Sequence, residues 1–177
     1  MTYLKRTILA TLITFMPISA HASCRGIPAP PTEYAGMALE GVKDYGTEEL
    51  GVAVKYVGDG EKLTFYRFDA GLGESSDALF QETVEGVYDF LAPQGYTIDS
   101  ARDLEVAVKT EGKPTIERTA MIVAEKQGTK ELHFVATGRD NSCALKLRYT
   151  AVNQDYSEET HTKFLSLVSF PTVYLGR

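Results

Sequence analysis

Residues 142–152, Ser-Cys-Ala-Leu-Lys-Leu-Arg-Tyr-Thr-Ala-Val, limit the fold more than any other stretch. Cys143, Leu145, Leu147, Tyr149 and Ala151 fall on one side, and Lys146, Arg148 and Thr150 on the other. A period of two is the pattern of a half-buried β-strand. This strand carries one of the chain's two cysteines. The other, Cys24, stands near the start, so a bridge between them would tie the first residues to a sheet.

Whether a bridge forms depends on compartment. Lys5 and Arg6 precede a mostly apolar run over residues 7–19, and Ala20-His21-Ala22 is a small-x-small cleavage pattern. This predicts a secretory signal peptide over residues 1–22, cut before Ser23. The apolar run is shorter than the roughly 20 residues a bilayer-spanning helix needs, and no later run reaches that length. The expectation is an exported soluble protein, periplasmic or extracellular, with no transmembrane segment in its mature chain. In an oxidising compartment an even pair of cysteines usually closes, which predicts a Cys24–Cys143 disulfide. Closing so long a loop is worth about 4.7 kcal/mol in the chain-entropy account. The alternative is a lipid on Cys24, leaving Cys143 a free thiol. Ala22 and Ser23 suit a lipoprotein signal, but His21 stands where that pattern has Leu.

The formal charge of −6 becomes −8 once Lys5 and Arg6 leave with the signal peptide. That balance argues against nucleic acid or an anionic membrane as the main partner. The mature length is that of one domain. Pro28, Pro30 and Pro31 make residues 23–35 an extended, non-helical arm. Residues 36–177 form a single globular domain.

Within it, strands are predicted near 37–43, 48–57 and 62–70. The last two form a hairpin about the turn residues Gly58-Asp59-Gly60-Glu61. Leu63 and Phe65 lie on one face of the return strand, Tyr66 and Phe68 on the other, so both faces need cover. The period then changes to 3.6. Phe80, Val84, Val87 and Leu91 centre an apolar stripe over residues 77–91, widened by Leu79, Tyr88 and Phe90. Ser75 or Ser76 caps this helix, and Pro93 and Gly95 stop it. Four strands follow, over 102–109, 115–125, 131–137 and 142–152, joined by short turns as an antiparallel meander. The second is apolar on both faces, which places it centrally in the sheet. A last helix over 158–169 buries Phe164, Leu165, Leu167 and Val168 and ends at Pro171. The order β-β-β-α-β-β-β-β-α gives an α+β class: a single antiparallel sheet of about six to seven strands with two packed helices.

The run Ala136-Thr-Gly-Arg139 leading to Leu145-Lys-Leu-Arg-Tyr-Thr150 and a closing helix, behind a signal peptide, resembles small exported bacterial proteins. The layout is similar to the Mog1/PsbP-like α/β sandwiches. The likeness covers the last third of the chain by residues and the rest by element order. It implies accessory, protein-binding roles rather than catalysis, and it carries no catalytic motif onto this sequence. Cys143 matches no family pattern.

The mature chain has two histidines, His133 and His161. His133 sits on a strand beside Leu132 and Phe134, on the same side as Val135, and reads as a satisfied or surface histidine. His161 falls amid Phe164, Leu167 and Val168 on the buried side of the last helix. With Glu158 it makes the Glu-x-x-His spacing that puts two metal ligands on one helical face. Such sites need ligands from other helices, which the chain does not offer, so no metal or cofactor is expected. A hydrogen-bonded core histidine is the plainer reading. Nucleophile-elbow, Ser-x-x-Lys and phosphate-loop motifs are absent. The adjacent pairs Glu48-Glu49 and Glu158-Glu159 read as solvated carboxylates. Lys146 and Arg148 share a strand face, with Lys130 and Arg139 near, and offer binding to an anionic partner. Against that stands a charge-blunted sheet edge.

These readings favour a non-enzymatic exported domain that binds a secreted protein or envelope component. The alternative is a carrier of a small ligand or lipid, in an apolar pocket between helix 77–91 and the sheet, near Tyr66 and Tyr88. A third reading is a hydrolase with its site around His161.

Overall fold

The computed structural model describes residues 23–71, 75–104, 115–154 and 156–175. The predicted signal peptide lies outside the described residues, as do positions 105–109 of the strand predicted over 102–109 and the turn at 111–114.

Four strands come first: β1 (Glu33–Tyr34), β2 (Met37–Asp44), β3 (Val52–Gly58) and β4 (Glu61–Phe68). Helix α1 (Ser76–Leu91) follows, then β5 (Thr97–Leu104), β6 (Thr115–Lys126), β7 (Thr129–Asp140) and β8 (Cys143–Val152). Helix α2 (Glu158–Val168) and a short α3 (Phe170–Leu175) close the chain. All the strands form one sheet in the order β1-β2-β3-β4-β8-β7-β6-β5, antiparallel throughout. Two meanders therefore meet back to back where β4 pairs with β8.

The α+β class and the single antiparallel sheet are as expected, but the sheet has eight strands rather than six to seven. The extra strand is β1, inside the predicted arm. Ala35 and Gly36 take positive φ, 51° and 80°, and fold the end of the arm back onto β2. β3 begins at Val52, not at residue 48, because Gly51 turns the chain there. It has φ 63°, and a Cβ on it would lie 2.0 Å from the Arg67 carbonyl oxygen. Pro171 does not stop the last helix outright. It falls in the first turn of α3, where a missing N–H costs nothing.

The two faces of the sheet are covered unequally. On one, α2 and α3 lay Phe164, Leu167, Val168, Phe170 and Tyr174 over Tyr56, Leu63, Phe65, Met121, Phe134, Leu147 and Tyr149. On the other, α1 sets Phe80, Val87 and Leu91 on Ala120, Ile122, Ala124 and Val135, side chains of β6 and β7 alone. β6 is thus apolar on both faces as expected, yet it lies next to the edge strand β5 rather than at the centre. The central strands are β4 and β8, and most of their α1-side residues are only half-buried.

The arm is fastened at several points. Cys24 and Cys143 form the predicted disulfide, with Cα atoms 5.6 Å apart. The lipidated alternative is set aside, because both sulfurs lie in the bridge. Buried Arg67 donates through Nη1 to the carbonyls of Ser23, Cys24 and Gly26 at 3.0, 2.9 and 3.1 Å. Its Nη2 pairs with Asp140 at 2.9 Å. Glu48 accepts from the Ser23 hydroxyl at 2.6 Å and the Cys24 amide at 2.8 Å. Tyr56 donates to the Pro31 carbonyl, and Tyr174 to that of Pro28.

Candidate functional site

Where α1 ends, the open part of the sheet begins. Ser75 caps the helix start by accepting from the Ala78 amide at 3.1 Å. Arg118 pairs with Asp77 and lies 4.5 Å from the Phe80 ring centre, fixing the first turn over β6. At the far end a 3-10 turn, Ala92–Gln94, runs into Gly95 at φ 80°, and the helix stops. Phe90 consequently overhangs β8 with little beneath it and remains 53% exposed. The space below is a cleft of about 460 Å³. Its walls are Lys62, Thr64 and Tyr66 of β4, Arg148 and Thr150 of β8, Glu131 and His133 of β7, and Phe90 and Tyr96.

Strand register assembles these groups. Thr64 faces Arg148, Tyr66 faces Lys146, and Lys62 faces Thr150, which faces His133 across β8 and β7. Lys146 and Arg148 therefore do share a face, as predicted. The alternative of a charge-blunted edge fails, because β8 is the middle of the sheet. Both are half-buried. The Arg148 guanidinium lies 4.7 Å from the Phe90 ring centre, and the Lys146 ammonium 5.8 Å from that of Tyr66. Neither forms an ion pair with a carboxylate among the described residues. Burial depresses the pKa of each; Glu82 opposes the shift at Lys146, and Tyr66 and Glu131 oppose it at Arg148. Arg139 lies on the same face one strand over, by its pairing with Ala144, and Lys130 points the other way.

His133 is almost fully buried, at 1% exposure. Its Nδ1 is 3.2 Å from Thr150 Oγ1, and its Nε2 is 3.2 Å from Glu131 Oε2. Burial, with Arg148 near, lowers its pKa to about 4, so the ring is neutral at pH 7. Hydroxyl, imidazole and carboxylate stand in the order of a nucleophile relay. Nε2 makes no hydrogen bond of good geometry, while the other oxygen of Glu131, Oε1, accepts from the Tyr96 hydroxyl at 2.5 Å and so fixes the carboxylate beside the ring.

His161 is elsewhere. It is half-buried on α2, on the opposite side of the sheet, not in the core that its spacing predicts. In the first turn of the helix it packs on Tyr156, ring centres 5.9 Å apart, and Tyr156 lies under Arg102 of β5. It joins neither Lys146 nor Arg148.

Tyr66 does line a cleft beside the helix, as expected, but sequence reasoning missed the contributions of Lys62, Tyr96 and Glu131 and took Phe90 for plain stripe. The signal available was Lys62, Thr64 and Tyr66 on alternate positions of β4, the same alternation that singles out Lys146 and Arg148. It also missed Glu61, at the end of the cleft. Buried Glu61 accepts from the Tyr149 hydroxyl and the Lys163 ammonium, each at 2.6 Å, and so pins α2 to the sheet. Burial would raise its pKa, but Lys163 and Tyr149 outweigh that and hold it below the usual carboxylate value.

No protein-family model matches this chain, and no curated protein is recognisably similar to it.

Proposed function

We propose that this is an exported, non-enzymatic binding domain that takes an anionic component of the envelope in the cleft between α1 and β4–β8. One observation carries the reading. Arg148 lines the cleft and Lys146 stands beside it on β8, both half-buried and neither in an ion pair with a carboxylate among the described residues, in a chain of net charge −6. Holding unpaired charge away from water is costly, and a fold retains it where an incoming anion completes the pair. Arg148 is the primary contact, since a guanidinium grips carboxylate or phosphate through two parallel hydrogen bonds. Tyr66 and Phe90 supply flat apolar surface beside it. The Cys24–Cys143 bridge and the leader pattern support export. Among the described residues no helix is long and apolar enough to cross a membrane. The accessory role implied by the likeness to Mog1/PsbP-like sandwiches agrees with this reading.

A lipid carrier is the weaker alternative. The cleft is walled by Lys62, Thr64, Glu131, His133, Arg148 and Thr150 with aromatic rings, not by the aliphatic side chains that line an acyl-chain site. Calorimetric titration with small carboxylates and phosphates tests the proposal. Binding that is lost in Arg148→Met, with an unchanged melting temperature, supports it. Equal binding by wild type and variant, or tighter binding of a neutral fatty alcohol, refutes it.

A further inference from the structure

The cleft does not end at Tyr66. A second depression, of about 410 Å³, adjoins it across β2, β3 and β4, and the two share Thr64 and Tyr66 as lining residues. Because α1 packs on β6 and β7, no helix among the described residues covers this part of the sheet. The register fixes its chemistry. One row of paired residues runs Gly41, Lys55, Thr64, Arg148, and the next runs Lys43, Ala53, Tyr66, Lys146. With strands about 4.8 Å apart, Lys55 and Arg148 stand roughly 10 Å apart along their row, and Lys43 and Lys146 about 14 Å along theirs.

Cations and rings are interleaved along the trough. The Lys43 ammonium is 4.4 Å from the Tyr45 ring centre, which continues the series formed by Lys146 with Tyr66 and Arg148 with Phe90. Lys126 with Tyr96 extends it past the helix end. Carboxylates are few there. Glu40 pairs with Lys55 across exposed surface, Glu131 is held by Tyr96, and Glu61 is engaged by Lys163 on the far side. Glu82 of α1 lies within electrostatic reach of Lys146. Val42 and Tyr45 are exposed at the outer end, 46% and 36%.

Resting on the binding reading above, we infer that the ligand is an acidic oligosaccharide, lying across the sheet from the α1 cleft to Tyr45. A shallow open trough suits a chain of linked rings better than a compact molecule. Flat aromatic faces accept the C–H faces of sugar rings, and Lys43, Lys55 and Arg148, spread along the trough, meet carboxylates carried by different sugar residues. An acyl chain would leave the cations unmatched. An acidic peptide would match the cations but would leave the rings without flat partners.

The test is calorimetric titration of the oxidised protein with galacturonic acid, tetragalacturonate, neutral maltotetraose, tetraglutamate and a thymidine tetranucleotide. Tetragalacturonate is expected to bind about tenfold or more tighter than galacturonic acid, the gain from joining two weak sites through one ligand. Maltotetraose is expected to bind weakly or not at all. Tyr45→Ala and Lys55→Met reduce the tetramer's affinity toward that of the monomer, whereas Arg148→Met abolishes binding of both. Their melting temperatures, compared with wild type, separate these effects from unfolding. Equal affinity for monomer and tetramer, or no effect at Tyr45 and Lys55, overturns the extended site and leaves the Arg148 cleft standing. No binding of any anion overturns both. Tighter binding of tetraglutamate or the nucleotide overturns the assignment to a glycan.

Discussion

The two faces of the sheet are built from the same strands, yet they differ in what covers them. On the α2–α3 side a continuous core runs from Tyr56 on β3 to Met121 on β6, and the few polar groups within it are matched. Arg67 meets Asp140 and three carbonyls, and Glu61 meets Tyr149 and Lys163. On the α1 side the helix packs its apolar face on β6 and β7, and the half-buried cations of β8 lie against Tyr66 and Phe90 with no ion-pair partner among the described residues. One face is sealed along its length, and the other is sealed only over β6 and β7.

Substitutions that respect or violate this division should have very different effects. Phe164→Ala, in the stacked contact with Phe134 on the closed face, is expected to cost about 3–5 kcal/mol in denaturant unfolding. A loss below about 1 kcal/mol would mean that this face is not the stabilising one. Replacing both cysteines by serine is expected to cost about 2–5 kcal/mol, with the arm's amides losing hydrogen-exchange protection before the core does. If Arg67 and Glu48 hold the arm unaided, that protection persists. Acid should loosen both faces, each through one group. Glu61 has a folded pKa below its unfolded value, so its contribution is present above the unfolded value and fades as pH falls through the folded one. His133, at about 4 when folded, favours the native state above its unfolded value and loses that as pH drops from roughly 6.5 toward 4. Glu61→Gln and His133→Gln should each flatten the acid limb of a stability–pH curve, the latter by on the order of 3 kcal/mol at most. An unchanged limb in both would remove these groups from the account. Smallest of all, Phe90→Ser and Arg148→Met on the open face should shift stability by no more than about 0.5 kcal/mol, while weakening ligand binding. A large loss of stability in either would show that the open face is core after all.

Periodicity made the closed face legible in the sequence. Leu145, Leu147 and Tyr149 on alternate positions, and Phe164, Leu167 and Val168 on one helical stripe, announce burial wherever they land. The disulfide was legible too, from the even count of two cysteines behind a leader-like pattern. The cleft was only half so. Lys146 and Arg148 stand out by alternation, but whether they sit at an edge or at the centre depends on β4 pairing with β8, a long-range choice that no local pattern encodes. Phe90 reads as part of the apolar stripe, and only the position of α1 over β6 and β7 leaves it bare. His161 errs the opposite way. The helical wheel gives its angle, but not that the helix begins beside Tyr156, where the core has already ended.

The junction of β4 with β8 also governs the timetable of assembly. The two middle strands are separated by α1 and the whole second meander, so the sheet stays in two halves until β8 has been made. Contacts of such long sequence span slow folding toward the millisecond-to-second range. Cys24, nearly the first residue of the arm, must wait for Cys143 on that same late strand. With no third cysteine to intervene, the delay carries no risk of a mispaired bridge within the chain. What it exposes is the uncovered edge of β4, and a catalyst of oxidation would hasten maturation only after that edge has found its neighbour.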